Sequence, residues 1–166
     1  MDLYFLRHAI AVPRGTPGYE DAKRPLTPEG KAKLEKIARG IKKLGLSFDT
    51  ILSSPFLRAK DTAKQVAARL RLSRKLNFEP TLSAEGSPAS FVRVLQNEYK
   101  GVKSLLVVGH EPYLTSLISI LITGKPGAAI LLKKGGLCKL TIEQELRYGL
   151  CATLNWLITP RQLIKL

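Results

Sequence analysis

Histidine is scarce in this 166-residue chain: it occurs twice, as His8 and His110. Cysteine is equally scarce. Cys138 and Cys151 form neither a CxxC pair nor any zinc-ligand spacing, and both stand among apolar neighbours. That excludes a cysteine-based zinc module and points to small core residues. Acidic residues are outnumbered 13 to 27 by Lys and Arg, which gives a net charge of +14. No apolar run approaches the roughly 20 residues that a bilayer-crossing helix requires; LTSLISILI falls far short and carries Ser and Thr. The opening MDLYFLRH has an acid at position 2 and no basic region ahead of an apolar core, so no secretory signal is expected and the expected location is cytoplasmic. Internal repeats and low-complexity segments are missing as well.

What is present is the composition of a soluble globular protein, with 45% hydrophobic and 24% charged residues. The length suits a single domain over residues 1–166 with a proper core. The positive charges are spread along the chain, and no RRM, KH or zinc-finger motif accompanies them. Nucleic acid is therefore not the expected partner. A basic surface also suits an acidic substrate or a heat-adapted protein, because net charge governs steering and not fold.

Short apolar runs predict strands at Leu3–Leu6, Thr50–Leu52, Leu105–Val108, Leu137–Ile142 and Leu150–Ile158, with a weaker one at Leu76–Leu82. The two C-terminal runs read as an antiparallel hairpin turning at EQELRYG. Four helices start with one signal, a polar residue followed by proline: Thr27-Pro28, Ser54-Pro55, Ser87-Pro88 and Glu111-Pro112. A capping side chain suits the free N–H groups of a first turn, and proline suits a position that needs no donor. Helical stripes follow: Leu34, Ile37, Ala38, Ile41 and Leu44, stopped by Gly45; Ala59, Ala63, Val66, Ala67 and Leu70; Phe91, Val92, Leu95 and Tyr99; Leu114, Leu117, Ile118 and Leu121. Strands alternating with amphipathic helices imply an α/β three-layer sandwich. Its central sheet is mainly parallel, flanked by helices, with an antiparallel C-terminal hairpin.

Both histidines directly follow a strand, in YFLRHA and LVVGHEP. Ligands of open parallel sheets bind beyond the carboxyl ends of the strands. Arg7-His8 and Gly109-His110 occupy two such ends, and SSPFLRAKDTA occupies a third. Arg58, just past the first turn of its helix, leans back toward the helix mouth, where free N–H groups favour an anion. Two guanidinium forks, two imidazoles and a helix start suit a phosphoryl group, and a neutral imidazole can attack phosphorus. A lone histidine at a strand end is commonly structural; the joint pattern is what argues for chemistry.

At these residues the chain resembles the histidine phosphatase superfamily, whose signature is an Arg-His pair ending the first strand. RPLTPEGK, SSPFLRAKDTA, GHEP and the short length resemble its smallest branch, the SixA-type phosphohistidine phosphatases. The resemblance runs from residue 2 to about residue 122. It implies a metal-independent phosphatase that needs no cofactor and forms a covalent phosphohistidine, with His8 as nucleophile, Arg7 and Arg58 on the phosphate, and His110 donating to its oxygens. Ala9 departs from the glycine usual after the Arg-His pair, and is tolerable where φ is negative. AIAVPRG lacks the asparagine of mutase-like members, which weakens a phosphoglycerate mutase reading. Larger members use a carboxylic acid as proton donor. Glu85 lies in the loop where such an acid would sit, although the small branch often lacks one. Glu111 reads as a helix-start residue complementing the dipole.

The long loop from Ala11 to Arg24 follows the candidate nucleophile. Arg14, Lys23 and Arg24 are candidates to line the entrance and attract an acidic substrate; a merely solvated loop is the other reading. The expected partner is a phosphorylated protein of the histidine-phosphotransfer type. A small phosphorylated metabolite is the alternative, and a non-catalytic phospholigand- or nucleic-acid-binding module is the rival outside enzymes.

Overall fold

A computed structural model describes residues 1–166. Its elements are β1 (Asp2–Arg7), α1 (Pro28–Lys43), β2 (Thr50–Ser53), α2 (Leu57–Leu70), β3 (Leu76–Phe78), α3 (Pro88–Glu98), β4 (Ser104–Gly109), α4 (Tyr113–Thr123), β5 (Leu137–Thr141), β6 (Thr153–Ile158) and α5 (Pro160–Lys165). The six strands form one sheet in the order β3-β2-β4-β1-β5-β6. β1, β2, β3 and β4 pair in parallel, whereas β5 pairs antiparallel with both β1 and β6.

The strand period of two divides the core. Leu3 and Phe5 of β1 pack on one face with Phe91 and Leu95 of α3 and Leu117 and Ile118 of α4. Tyr4 and Leu6 pack on the other with Leu34 and Ile41 of α1, Val66 of α2 and Leu163 of α5. Both faces of β1 and β4 are covered. Their sequences therefore read as continuous apolar runs and not as alternating ones. The result is the expected three-layer arrangement, a mostly parallel sheet between two layers of helices. No helix is long and apolar enough to cross a membrane.

Two of the four proline-marked helix starts behave as expected. Thr27 Oγ1 accepts from Gly30 N–H at 3.0 Å and Ser87 Oγ from Ser90 N–H at 3.3 Å. The other two are displaced. α2 begins at Leu57, because the Ser54 hydroxyl accepts from Phe56 N–H at 3.3 Å within a Ser-Pro-Phe turn and also meets His110. Arg58 is thus the second residue of its helix, not one past the first turn. α4 begins at Tyr113 without a side-chain cap, the Glu111 carboxylate accepting from the Thr115 hydroxyl instead.

The weak strand proves shorter than Leu76–Leu82. It ends at Phe78, and Pro80–Leu82 turns as a 3-10 segment, where proline has no N–H for a ladder. β6 begins at Thr153, not Leu150, and its pairing with β5 shifts register between Lys139 and Leu140. α5 lies outside the expectation altogether. Yet Thr159-Pro160 carries the same start signal, completed by a capping box with Gln162.

Gly30, in the first turn of α1, controls how the entrance loop seats. A Cβ there would lie 2.0 Å from the Ile10 carbonyl oxygen, which also accepts from Thr27 N–H at 3.1 Å. Helix propensity alone favours alanine by about 1 kcal/mol, but overpacking against fixed backbone costs about 1–3 kcal/mol. Gly30→Ala should therefore lower the unfolding free energy measured by urea titration; an increase would show that α1 and the loop separate freely.

Candidate active site

The register of the central strands assembles the site. β1 and β4 run in parallel with Arg7 opposite Gly109, so the next residue on each strand is a histidine. The His8 and His110 rings lie 5.2 Å apart between centroids, and His8 N–H donates to the Gly109 carbonyl at 3.0 Å. β2 pairs with β4 one residue short of this level, with Ser53 opposite Val108. Ser54 and the start of α2 therefore reach the same edge. Both histidines are almost fully buried, 6% and 2% exposed, and Arg58 is 3% exposed.

The His8 imidazole has its proton placed by its neighbours, and His110 has a hydroxyl partner. His8 Nδ1 lies 2.7 Å from the Ala9 carbonyl, which can only accept. Arg58 Nε–H, which can only donate, points to His8 Nε2 at 3.3 Å. Nδ1 therefore carries the hydrogen and Nε2 the lone pair. His110 Nε2 lies 2.7 Å from Ser54 Oγ. The Ser54 hydroxyl accepts from Phe56 N–H and still has a hydrogen to donate; when it gives that hydrogen to His110 Nε2, Nδ1 is the protonated nitrogen of the ring. Nδ1 is buried and without a partner. Thr62 braces the arrangement, accepting from Ala9 N–H at 3.0 Å and donating to the Arg58 carbonyl at 2.7 Å. Ala9 keeps a negative φ, as its methyl requires.

These groups line a cleft of about 220 Å³ with five cationic side chains, from Arg7, Arg14, Arg24, Arg58 and Lys134, and two carboxylates, from Asp21 and Glu111. Arg7 Nη1–H donates to the Leu132 carbonyl at 3.0 Å, and its Nε is buried without a partner. Asp21 collects the other guanidinium groups. Arg24 donates to Oδ1 at 3.0 Å through Nε, Arg58 donates to Oδ2 at 3.3 Å through Nη2 and to the Asp21 carbonyl at 2.7 Å through Nη1, and Arg14 stands 3.4 Å from Oδ1.

Burial is the main cause that lowers the pKa of both histidines, to about 3; for each, the nearby arginines push the same way. Both rings are thus neutral across the ordinary pH range. Desolvation also lowers Arg7 and Arg58 from the usual guanidinium range. Burial acts to raise Asp21, but Arg58, Arg24 and Arg14 outweigh it and hold the carboxyl low. Glu111 moves the opposite way, pushed up by burial. An unprotonated ring nitrogen among cations and unpartnered donors can do one kind of chemistry well: attack on an electrophilic centre bearing anionic oxygens.

Of the residues singled out from sequence, Arg7, His8, Arg58, His110, Arg14 and Arg24 meet at this cleft. Lys23 does not; it is exposed and pairs with Glu20 at 2.9 Å. Glu85 is exposed and also stands off the cleft, where its neighbour Ala84 takes the lining position. Glu111 is more than a helix-start residue, since it lines the cleft. Asp21 and Lys134 escaped the sequence reading, being single charges within charged or irregular stretches. Asp21 sits three residues before Arg24, and that spacing on a turn was the available signal.

Comparison with known proteins bears on the family and the fold. Residues 3–83 match the model of the histidine phosphatase superfamily, branch 1. An uncharacterized protein of Picosynechococcus sp. is 37% identical over 82% of this chain and 82% of its own. The phosphohistidine phosphatase SixA of Escherichia coli is 27% identical over 96% of this chain and 94% of its own. A solved structure of the protein histidine phosphatase SixA complexed with tungstate superposes with a TM-score of 0.84 at 27% identity, covering 98% of this chain and 99% of that one. With the paired histidines, the arginines and the fold in register, the chain belongs to the histidine phosphatase superfamily, as a phosphatase of its SixA-type branch.

Proposed function

We propose that this phosphatase works through a covalent phosphohistidine on His8, and that its substrate is a phosphohistidine carried by another protein. The observation that carries the reading is the fixed tautomer of His8, whose Nε2 lone pair is held among cations by Ala9 behind and Arg58 beside it. Nε2 attacks phosphorus as the bond to the leaving group breaks. Charge on the transferring group is spread over Arg7, Arg58 and the free Nδ1–H of His110. Water then attacks the phosphohistidine, releasing phosphate and restoring neutral His8.

A protein substrate is supported by the likeness to SixA over nearly the whole chain and by a cleft framed by loops alone, with no domain inserted between the strands and helices. A leaving imidazole titrates near neutrality, so its departure is easy. The deciding experiment is turnover of a phosphohistidine-bearing phosphotransfer protein beside a panel of sugar phosphates and nucleotides. A higher kcat/KM for any panel member than for the phosphoprotein would replace this substrate with a metabolite.

His8→Ala should abolish turnover and also the labelled adduct, which an alkaline quench preserves and acid destroys. His110→Ala should still form the adduct, about 10²–10³ more slowly, the usual cost of one lost donor. Base-stable label on His8→Ala protein would place the nucleophile elsewhere. Activity should persist well below pH 6.5, since His8 stays unprotonated down to about pH 3. Stability should behave differently. Both histidines take up protons on unfolding below their ordinary pKa of 6.5, so their share is fully present above that pH and is lost as pH falls toward about 3. Melting temperatures followed from pH 7 to 4 test this; a flat profile would contradict buried neutral rings. Arg14, 80% exposed, should act by attraction alone. Arg14→Ala should raise KM at low ionic strength, spare kcat and weaken the salt dependence, and an unchanged KM would assign that residue to solvent.

A further inference from the structure

Two carboxylates line the cleft, and their surroundings differ. Asp21 is committed: Arg24, Arg14 and Arg58 surround its oxygens at 2.9–3.4 Å. A carboxylate so paired stays ionised and cannot give up a proton. Glu111 has no ion pair. Its Oε2 accepts from the Thr115 hydroxyl, and its Oε1 is buried with no partner at all. A buried, unpartnered carboxylate oxygen is costly as an anion, and becomes a hydrogen-bond donor once protonated. Burial acts in that direction, raising the Glu111 pKa.

Three of the four buried side-chain atoms that lack a partner form a set. Arg7 Nε, His110 Nδ1 and Glu111 Oε1 all lack partners, and all belong to residues lining this cleft at the paired ends of β1 and β4. Two are cationic or neutral donors suited to phosphoryl oxygens. The third, if ionised, would repel a phosphoryl dianion; protonated, it offers the hydroxyl that a departing oxygen needs. Glu85, the possible acid by its place in the loop, is exposed and off the cleft.

We propose that Glu111 is the proton donor to the leaving group. As the bond from His8 Nε2 to phosphorus forms and the bond from phosphorus to the leaving oxygen breaks, Glu111 passes its proton to that oxygen and becomes a carboxylate. In the second step it takes a proton from the attacking water as the phosphorus–nitrogen bond breaks, which returns both residues to their starting states. A leaving imidazole needs this proton least and an alkoxide most, so Glu111 extends the enzyme to phosphate monoesters with poor leaving groups. The inference rests on the His8 reading above.

The test is the dependence of kcat/KM on leaving-group pKa, measured for native enzyme and Glu111→Gln with a series of aryl phosphates and one alkyl phosphate. The amide oxygen that replaces the carboxylate can still accept from Thr115, and thermal melting checks that the variant folds. The expected result is a loss of about 10²–10⁴ for the alkyl phosphate, little loss for p-nitrophenyl phosphate, and hence a steeper dependence in the variant. Equal losses across the series, or none, overturn the proposal. Should the variant fail to fold, the native enzyme decides. Activity on the alkyl phosphate should fall on the alkaline side, where Glu111 ionises, at a pH where p-nitrophenyl phosphate turnover is still level; coincident profiles overturn it. Base-stable label on the native enzyme separates the two readings. Label with an unchanged leaving-group dependence removes Glu111 alone, whereas no label on native enzyme removes His8 and Glu111 together.

Discussion

The parallel pairing of β1 with β4 is the constraint from which the site follows. Arg7 opposite Gly109 obliges His8 and His110 to leave the sheet side by side, and β2, one residue shorter at that edge, delivers Ser54 and α2 to the same point. A slip of one residue would push Leu3 and Phe5 into the layer packed around Tyr4 and Leu6, and the close fit of both layers would be lost. The same burial that fixes the register thus fixes the spacing of the two imidazoles. Precision at the cleft is inherited from Leu, Val and Phe side chains that never touch it.

Placing rings at that edge brings an electrostatic consequence. The histidines are surrounded by guanidinium groups and shielded from water, so protonating either is unfavourable on two counts. Neutrality leaves His8 Nε2 with a lone pair, and Arg58 Nε–H marks where that lone pair points. One arginine therefore both orients the ring and contributes to the field that keeps it unprotonated.

The fold was legible because its strands are buried on both faces and its helices carry caps at their starts. The stripes of α1 to α4 are long enough to declare their period, and the strand runs at Leu3 and Leu105 stand out as short continuous apolar segments between them. Two kinds of feature stayed hidden. Where a capping side chain has a second partner, as Ser54 has in His110 and Glu111 in Thr115, the start signal survives in sequence but the helix begins later. And charges gathered from distant loops carry no local pattern: Asp21 looks like any surface acid, Lys134 like one lysine among many. The core of the site was readable because His8, Arg7, Arg58 and His110 each sit at the end or start of a regular element. Its rim was not, because loops bring it together.

Asp21 gives the cleft a resident counter-ion. With Arg58 bonded to it through both terminal nitrogens and Arg24 held through two more, an anion entering the cleft would exchange one set of charge-assisted bonds for another. It gains only the difference between them. The arginines are consequently held in place before any substrate arrives, and little side-chain entropy is lost at the encounter. On the proposed reading the same exchange would run in reverse when product departs: the carboxylate that surrendered the guanidinium groups would reclaim them, and so would lower the barrier to releasing phosphate from so cationic a surface.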